Sequence, residues 1–197
     1  MTLDDQTFPI RKTGPVDYPH LTSSQQRQLA KVETTTDGIC QYAPCRVILA
    51  SDDVIDRVYI VESYGYSRVW GIDPSLDKGK RSVAIEDVVT IQSSPRRLPA
   101  SLANKLYAAG ESGMGYTLFV VVMRDGSRLP FVCGNAVDFP NWPDGIDPRE
   151  AVDVLPHAGR DIFRDRAPDP TESSAEYAWC LYGGPEAPRW LSIRRRE

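Results

Sequence analysis

The chain is predicted to fold as an α+β domain: a mostly antiparallel β-sheet, one main packed helix over 98–109, and short peripheral helices. Three observations predict this. Short β-rich runs are separated by turn residues along most of the chain. One stretch combines helical apolar spacing with a proline near its start and a glycine at its stop. The segment Tyr116 to Arg124 is apolar on both strand faces and runs into Asp125-Gly126, a strong hairpin signal.

Residues 1–21 hold Pro9, Pro15 and Pro19 with little periodicity and read as an extended arm. An α+β domain over 22–157 follows. Thr22 and Gln25 have capping-box spacing, so a short polar helix opens there and continues to Lys31. Arg46 to Ala50 and Val58 to Val61 read as strands around the acidic turn Ser51-Asp52-Asp53. From Tyr64 to Trp70, alternation puts Tyr64, Tyr66, Arg68 and Trp70 on one face of an extended segment. The sequence leaves open whether 58–70 is one strand or a hairpin broken at Gly65. Val83 to Ile91 reads as a strand with Val83, Ile85, Val89 and Ile91 on one face. In the main helix Leu98, Leu102, Leu106 and Ala109 line one side, and Gly110 ends it.

The loop Gly110-Glu111-Ser112-Gly113-Met114-Gly115 resembles a phosphate cradle only superficially. Its spacing is Gly-x-x-Gly-x-Gly, and it joins a helix to a strand, the reverse of the order in which a helix N-terminus meets phosphate. It lacks Gly-Lys-Ser/Thr and falls one residue short of Gly-x-Ser-x-Gly. A helix cap followed by re-entry into a buried strand is expected, leaving Glu111 and Ser112 to contact a ligand or partner.

Read as a two-residue hairpin loop, Asp125-Gly126 pairs Arg124 with Ser127 and Val121 with Pro130. The second pair is then non-hydrogen-bonded, so the Pro130 ring nitrogen faces outward and 128–133 is an edge strand. A long loop occupies 134–145. Asp147-Pro148 opens a brief helix, with His157 just past its end. Residues 158–175 read as a polar linker, and Tyr177 to Tyr182 with Trp190 to Ile193 as a final strand pair (176–197) packing on the same domain.

Charge and composition narrow the function. With 27 acidic against 23 basic residues the net charge is −4, which disfavours a general nucleic-acid-binding role. Arginine outnumbers lysine 18 to 5, a compositional bias, so Lys78-Gly79-Lys80-Arg81, Arg96-Arg97 and Arg194-Arg195-Arg196 read as solvated turns and tails. No signal peptide and no membrane-length apolar run are visible, so a cytoplasmic location without a membrane role is expected. Cys40, Cys45, Cys133 and Cys180 read as reduced, the state of Cys40 and Cys45 being left open. No cofactor or metal is expected: Cys40-x4-Cys45 lacks a second close pair, and 138–147 lacks the alternating aspartates of a calcium loop.

The sequence therefore points to a non-catalytic protein-binding module of inhibitor or immunity type, with an acidic, aromatic-bearing surface. Its expected partner-binding residues are Asn135, Asp138 and Trp142 on the long loop, with Glu111 and Ser112. Trp142 stands between Pro140 and Pro143, and rigid tryptophans are common hot spots. The competing outcome is that Phe139 and Trp142 fold back over the sheet. The alternative function is a small hydrolase or transferase. It would use scattered carboxylates (Glu86, Asp87, Glu111, Asp138) or a Cys/His pair of Cys133 or Cys180 with His157. A third is single-strand nucleic-acid binding, by Tyr66 and Trp70 stacking beside the basic turn.

Overall fold

Strand pairing in the computed structural model, which describes residues 17–74, 76, 79–161 and 176–184, divides the α+β fold between two sheets. The larger contains β1 (Thr35–Asp37), β2 (Cys40–Leu49), β3 (Val54–Glu62), β4 (Arg81–Ser82), β5 (Val88–Ser93) and, from the far end of the chain, β9 (Ala178–Tyr182). Its order is β1-β2-β3-β9-β4, with β5 also on β2. The smaller contains β6 (Thr117–Met123), β7 (Arg128–Cys133) and β8 (Ala151–Pro156), in the order β7-β6-β8. Three helices accompany them: α1 (Ser23–Leu29), α2 (Ser63–Trp70) and α3 (Ala100–Ala109). Pairing is antiparallel except at β9, which runs parallel to both β3 and β4.

The parallel pair β3 and β9 is buried on both faces, as such strands generally are, whereas β4 is exposed. Val58, Ile60, Ala178 and Cys180 point into one aliphatic core with Val47, Ile85 and Ile91. The alternate residues Tyr59, Val61, Trp179 and Leu181 point into an aromatic layer with Tyr42, Tyr66 and Phe139. A third core, under the small sheet, packs Leu98 and Leu106 beside Phe119, Val121, Met123 and Phe131. Each such side chain contributes roughly 1.5–3 kcal/mol on burial, so these cores hold the two sheets in place.

Several expected local devices are present. Thr22 and Gln25 form the capping box, and Gln25 is buried, its amide donating to the carbonyls of Ile85 and Val88 at 2.9 Å each. Gln28 adds a donation to Val89 O and accepts from Ile91 N–H, so the polar helix α1 is pinned to the sheet through two glutamines. Gly110 ends α3 at φ 77°, where its N–H meets Leu106 O and Tyr107 O. Asp147 caps a one-turn 3-10 helix at Pro148–Glu150.

Four expectations need correction. Residues 63–70 are helical. The Glu62 carboxylate accepts from the N–H groups of Tyr64 and Gly65 at 2.8 Å, and Gly71 closes the helix at φ 69°. The region 83–91 is broken by a 3-10 turn at Ile85–Asp87, so Val88 and Ile91 face inward while Val89 is exposed. A strand, β8, follows Pro148–Glu150, and His157 lies at its end with φ 59°.

The hairpin loop has three residues, with Met123 N–H donating to Ser127 O and Gly126 at φ 84°, so Pro130 faces Val120 and not Val121. Pro130 still lies three residues beyond Ser127, in a non-hydrogen-bonded pair, and β7 is an edge strand as expected. The arm up to residue 16, residues 162–175 of the linker, Lys78, Arg194–Arg196 and the second C-terminal strand at Trp190 to Ile193 lie outside the described residues.

Candidate functional site

The long loop after β7 turns inward. Asp138 is fully buried, Phe139 joins the aromatic layer, and Trp142 is 5% exposed with its ring edge-on to Phe131 at 5.1 Å. Asp138 and Trp142 are therefore interior groups and cannot be the surface contacts that the loop's composition suggested. Asn135 is half-buried, Ser112 half-buried and Glu111 exposed.

Asp138 is the centre of a buried polar hub. Its Oδ2 accepts from Tyr107 OH at 2.7 Å and Thr35 Oγ1 at 3.2 Å, while its N–H donates to Tyr59 OH at 3.0 Å. Its carbonyl accepts from Leu98 N–H at 2.8 Å. The guanidinium of Arg97 is the opposing charge, with Nη2 3.8 Å from Asp138 Oδ1, and neither atom has a hydrogen-bond partner. Arg97 is itself held by Glu33 O at 2.6 Å. Burial pushes the Asp138 carboxyl up to about 6, against the opposing pull of Tyr107, Arg97, Thr35 and Tyr59. The hub ties β1, β3, α3 and the loops at 94–99 and 134–147 together.

Trp142 has a second consequence. Its indole N–H donates to Arg96 O at 3.0 Å, and Arg96 N–H donates to Ser94 Oγ at 3.1 Å. The backbone of Arg96 is thereby held from both sides. Its side chain borders a cleft of about 430 Å³ lined by Arg46, Asp56, Pro95, Arg96 and the segment Gly145–Arg149.

Arg46 is neutralised by Asp56, and Arg149 by Asp147 through a two-pronged contact at 2.7–3.1 Å. Arg96 has no such counter-ion among the described residues. Nor has Arg57, next to Asp56 on β3, whose Nε is buried without a partner. Burial, and then the charge of Arg96, hold the Arg57 guanidinium below its ordinary range, with Asp56 acting the other way. Across the ridge Gly145–Asp147 lies a second concavity of about 410 Å³, lined by Met123, Arg124, Asp125, Ser127 and Glu150.

The glycine junction is pinned rather than open. His157 faces Ala109 O through Nε2 at 3.2 Å, which in the neutral ring puts the proton there and leaves Nδ1 to accept from Ser112 Oγ at 2.8 Å. Ser112 Oγ in turn accepts from Leu118 N–H at 2.9 Å, so the pair stitches the end of α3 to the starts of β6 and the 157 turn. Glu111 accepts from Gly115 N–H at 3.0 Å and lines a crevice of about 60 Å³ with Asp37 and Asn135.

The thiols of Cys40, Cys45 and Cys133 are pushed up to about 11, 12 and 12 by burial, and that of Cys180 higher still, opposite to what a thiolate nucleophile requires. Tyr66 and Trp70 stack on α2, but Lys80 of the same chain lies 4.1 Å over the Trp70 ring and donates to Tyr66 OH.

Compared with known protein families, with characterised proteins and with solved structures, the chain matches none. Among the described residues no helix is long and apolar enough to cross a membrane, and no group of three or more His, Cys, Asp or Glu side chains is placed to hold a metal.

The arginine cleft is what sequence reasoning missed. Its residues come from four separate segments, and the compositional excess of arginine hid the one local signal, Arg96-Arg97 before a proline-started helix. The two prove unlike: Arg97 is buried and Arg96 half-buried at the cleft.

Proposed function

We propose that this protein is a non-catalytic protein-binding module, of inhibitor or immunity type, and that its binding face is the ridge Gly145–Asp147 with the arginine cleft beside it. The observation that carries this reading is Arg96, which lines a concave surface of an otherwise acidic chain with no counter-ion among the described residues. Holding unpaired charge in this way disfavours the free protein and favours a complex that supplies the missing anion. The preferred partner therefore presents an acidic segment. This replaces the acidic, aromatic face expected from the loop, since Trp142 supports Arg96 from within and does not project. A cytoplasmic setting suits four free, buried thiols.

The test is capture of a partner by the wild-type chain and by Arg96→Glu. Retention by wild type and loss on charge reversal, at unchanged thermal stability, is the expected result. Equal capture by both rejects the cleft as the face.

A further inference from the structure

The glycine junction holds a serine–histidine pair that the binding face does not use. Ser112 Oγ has two acceptors within reach, His157 Nδ1 at 2.8 Å and Leu118 O at 3.3 Å, and the shorter contact takes its proton. His157 Nε2 meets Ala109 O at 3.2 Å, which keeps the ring proton on Nε2 and leaves the Nδ1 lone pair to the serine. A hydroxyl, a base and a group that orients the base are the parts of an activated nucleophile.

The backbone of His157 supports this assignment. It sits at φ 59°, where glycine or asparagine is at ease and a histidine is not. Strain of this kind persists where a side chain must be aimed, and here it aims the imidazole at Ser112. Solvent reaches both groups, since His157 is exposed and Ser112 half-buried. Beside them the Tyr116 ring lies so close to Gly113 that a Cβ there would come within 2.5 Å of it. The ring, itself partly exposed, gives a small acyl group an apolar wall.

The backbone donors of the junction set the chemistry. An oxyanion hole would draw on the N–H groups of Ser112 and Gly113, but both donate to Tyr116 O, at 3.0 and 3.3 Å. One such donor is worth about 10²–10³ in rate. Arg160, with Nη2 3.2 Å from Ser112 O, is exposed, so water screens its charge. Amides and alkyl esters are therefore too unreactive for this serine, and an ester or thioester with a good leaving group is the class that fits. The product is itself an alkyl ester, so the same missing donors protect it from hydrolysis and the acyl group stays.

We propose that Ser112 is a reactive serine, acylated once by an activated ester or thioester with His157 as general base. Ser112 Oγ bonds to the acyl carbon as its proton passes to His157 Nδ1. The bond to the leaving oxygen or sulfur then breaks, and the leaving group recovers that proton. The products are O-acylated Ser112 and a free acidic alcohol or thiol, with nothing oxidised or reduced. The pair shares no residue with the arginine cleft, so this inference goes beyond the binding reading and is tested separately from it.

The full chain is incubated with p-nitrophenyl acetate, nitrophenolate release is followed, and the adduct is located by peptide mass spectrometry. A single burst is expected, leaving one acetyl group per chain on Ser112. Ser112→Ala should lose the burst. His157→Gly, which suits the left-handed backbone, should slow it at least about a hundredfold, the lower end of what a general base supplies. Added imidazole should restore the burst in that variant, an effect that a merely structural histidine would not show. His157→Asn also tolerates the left-handed backbone and should be as slow as the glycine variant. Acetyl groups only at residues other than Ser112, an unchanged rate in both His157 variants, or no recovery with imidazole overturns the proposal. Steady release beyond one equivalent would mean turnover, and would overturn the single acylation together with the non-catalytic reading. Loss of partner capture in Arg96→Glu with no adduct on Ser112 leaves the binding face standing alone.

Discussion

Arg96 and Arg97 are neighbours in sequence and opposites in environment. Arg97 turns inward, 9% exposed, with Glu33 O and the Asp138 carboxylate to receive it. Arg96 is half-buried and lines the cleft, with no ion pair among the described residues. One guanidinium organises the interior and the other is held ready beside solvent. The difference separates a charge used for folding from a charge available for binding. It also explains why Trp142 and Asp138, expected at the surface, belong inside: both brace the segment that carries the two arginines.

The largest break in that comparison should come from Arg97→Leu. Removing it strands the buried Asp138 charge and leaves Glu33 O without its donor. A loss of about 3–5 kcal/mol is expected in urea unfolding, the range for breaking one side of a buried ion pair. A loss below about 1 kcal/mol would place Arg97 in the class of surface arginines and remove the contrast with Arg96.

Asp138 should sharpen the same contrast through pH. Its folded value, about 6, stands above the ordinary carboxyl value of 3.8. Between those limits the native state binds more protons than the unfolded chain, so stability falls as pH rises through the window. The full effect is about 3 kcal/mol between pH 3.8 and pH 7, most favourable at the acidic end. Asp138→Asn should flatten this part of the stability–pH profile. A variant profile parallel to wild type from pH 4 to 7 would remove Asp138 as its source.

How much of this was legible varies with how local the cause is. The capping box at Thr22, the glycine stop at Gly110, the edge position of Pro130 and the centrality of β6 are consequences of neighbouring residues and were readable. The helix at 63–70 was not, because Tyr66 and Trp70 satisfy both a two-residue alternation and the i, i+4 spacing of a helix face. What decides between them is Glu62 capping from outside the segment and Trp179, far along the chain, receiving both rings. The hairpin register slipped by one on the β6 side because Asp-Gly fits a two-residue loop and a three-residue loop ending in a left-handed glycine equally well. The cleft was the least legible, since Arg46, Asp56, Arg96 and Arg149 meet only once β2, β3 and two loops are in place.

The smallest expected effect is the most discriminating for the cleft. Arg96→Leu removes a charge that makes no ion pair among the described residues and relieves its repulsion of Arg57. Stability should therefore change by no more than about 0.5 kcal/mol, and in the favourable direction at low salt. Because the relieved interaction is partly exposed, the gain should vanish near 1 M salt, where the screening length falls to about 3 Å. A destabilised Arg96→Leu would mean that the arginine already has a structural task, and the cleft would lose its claim to a charge held in reserve.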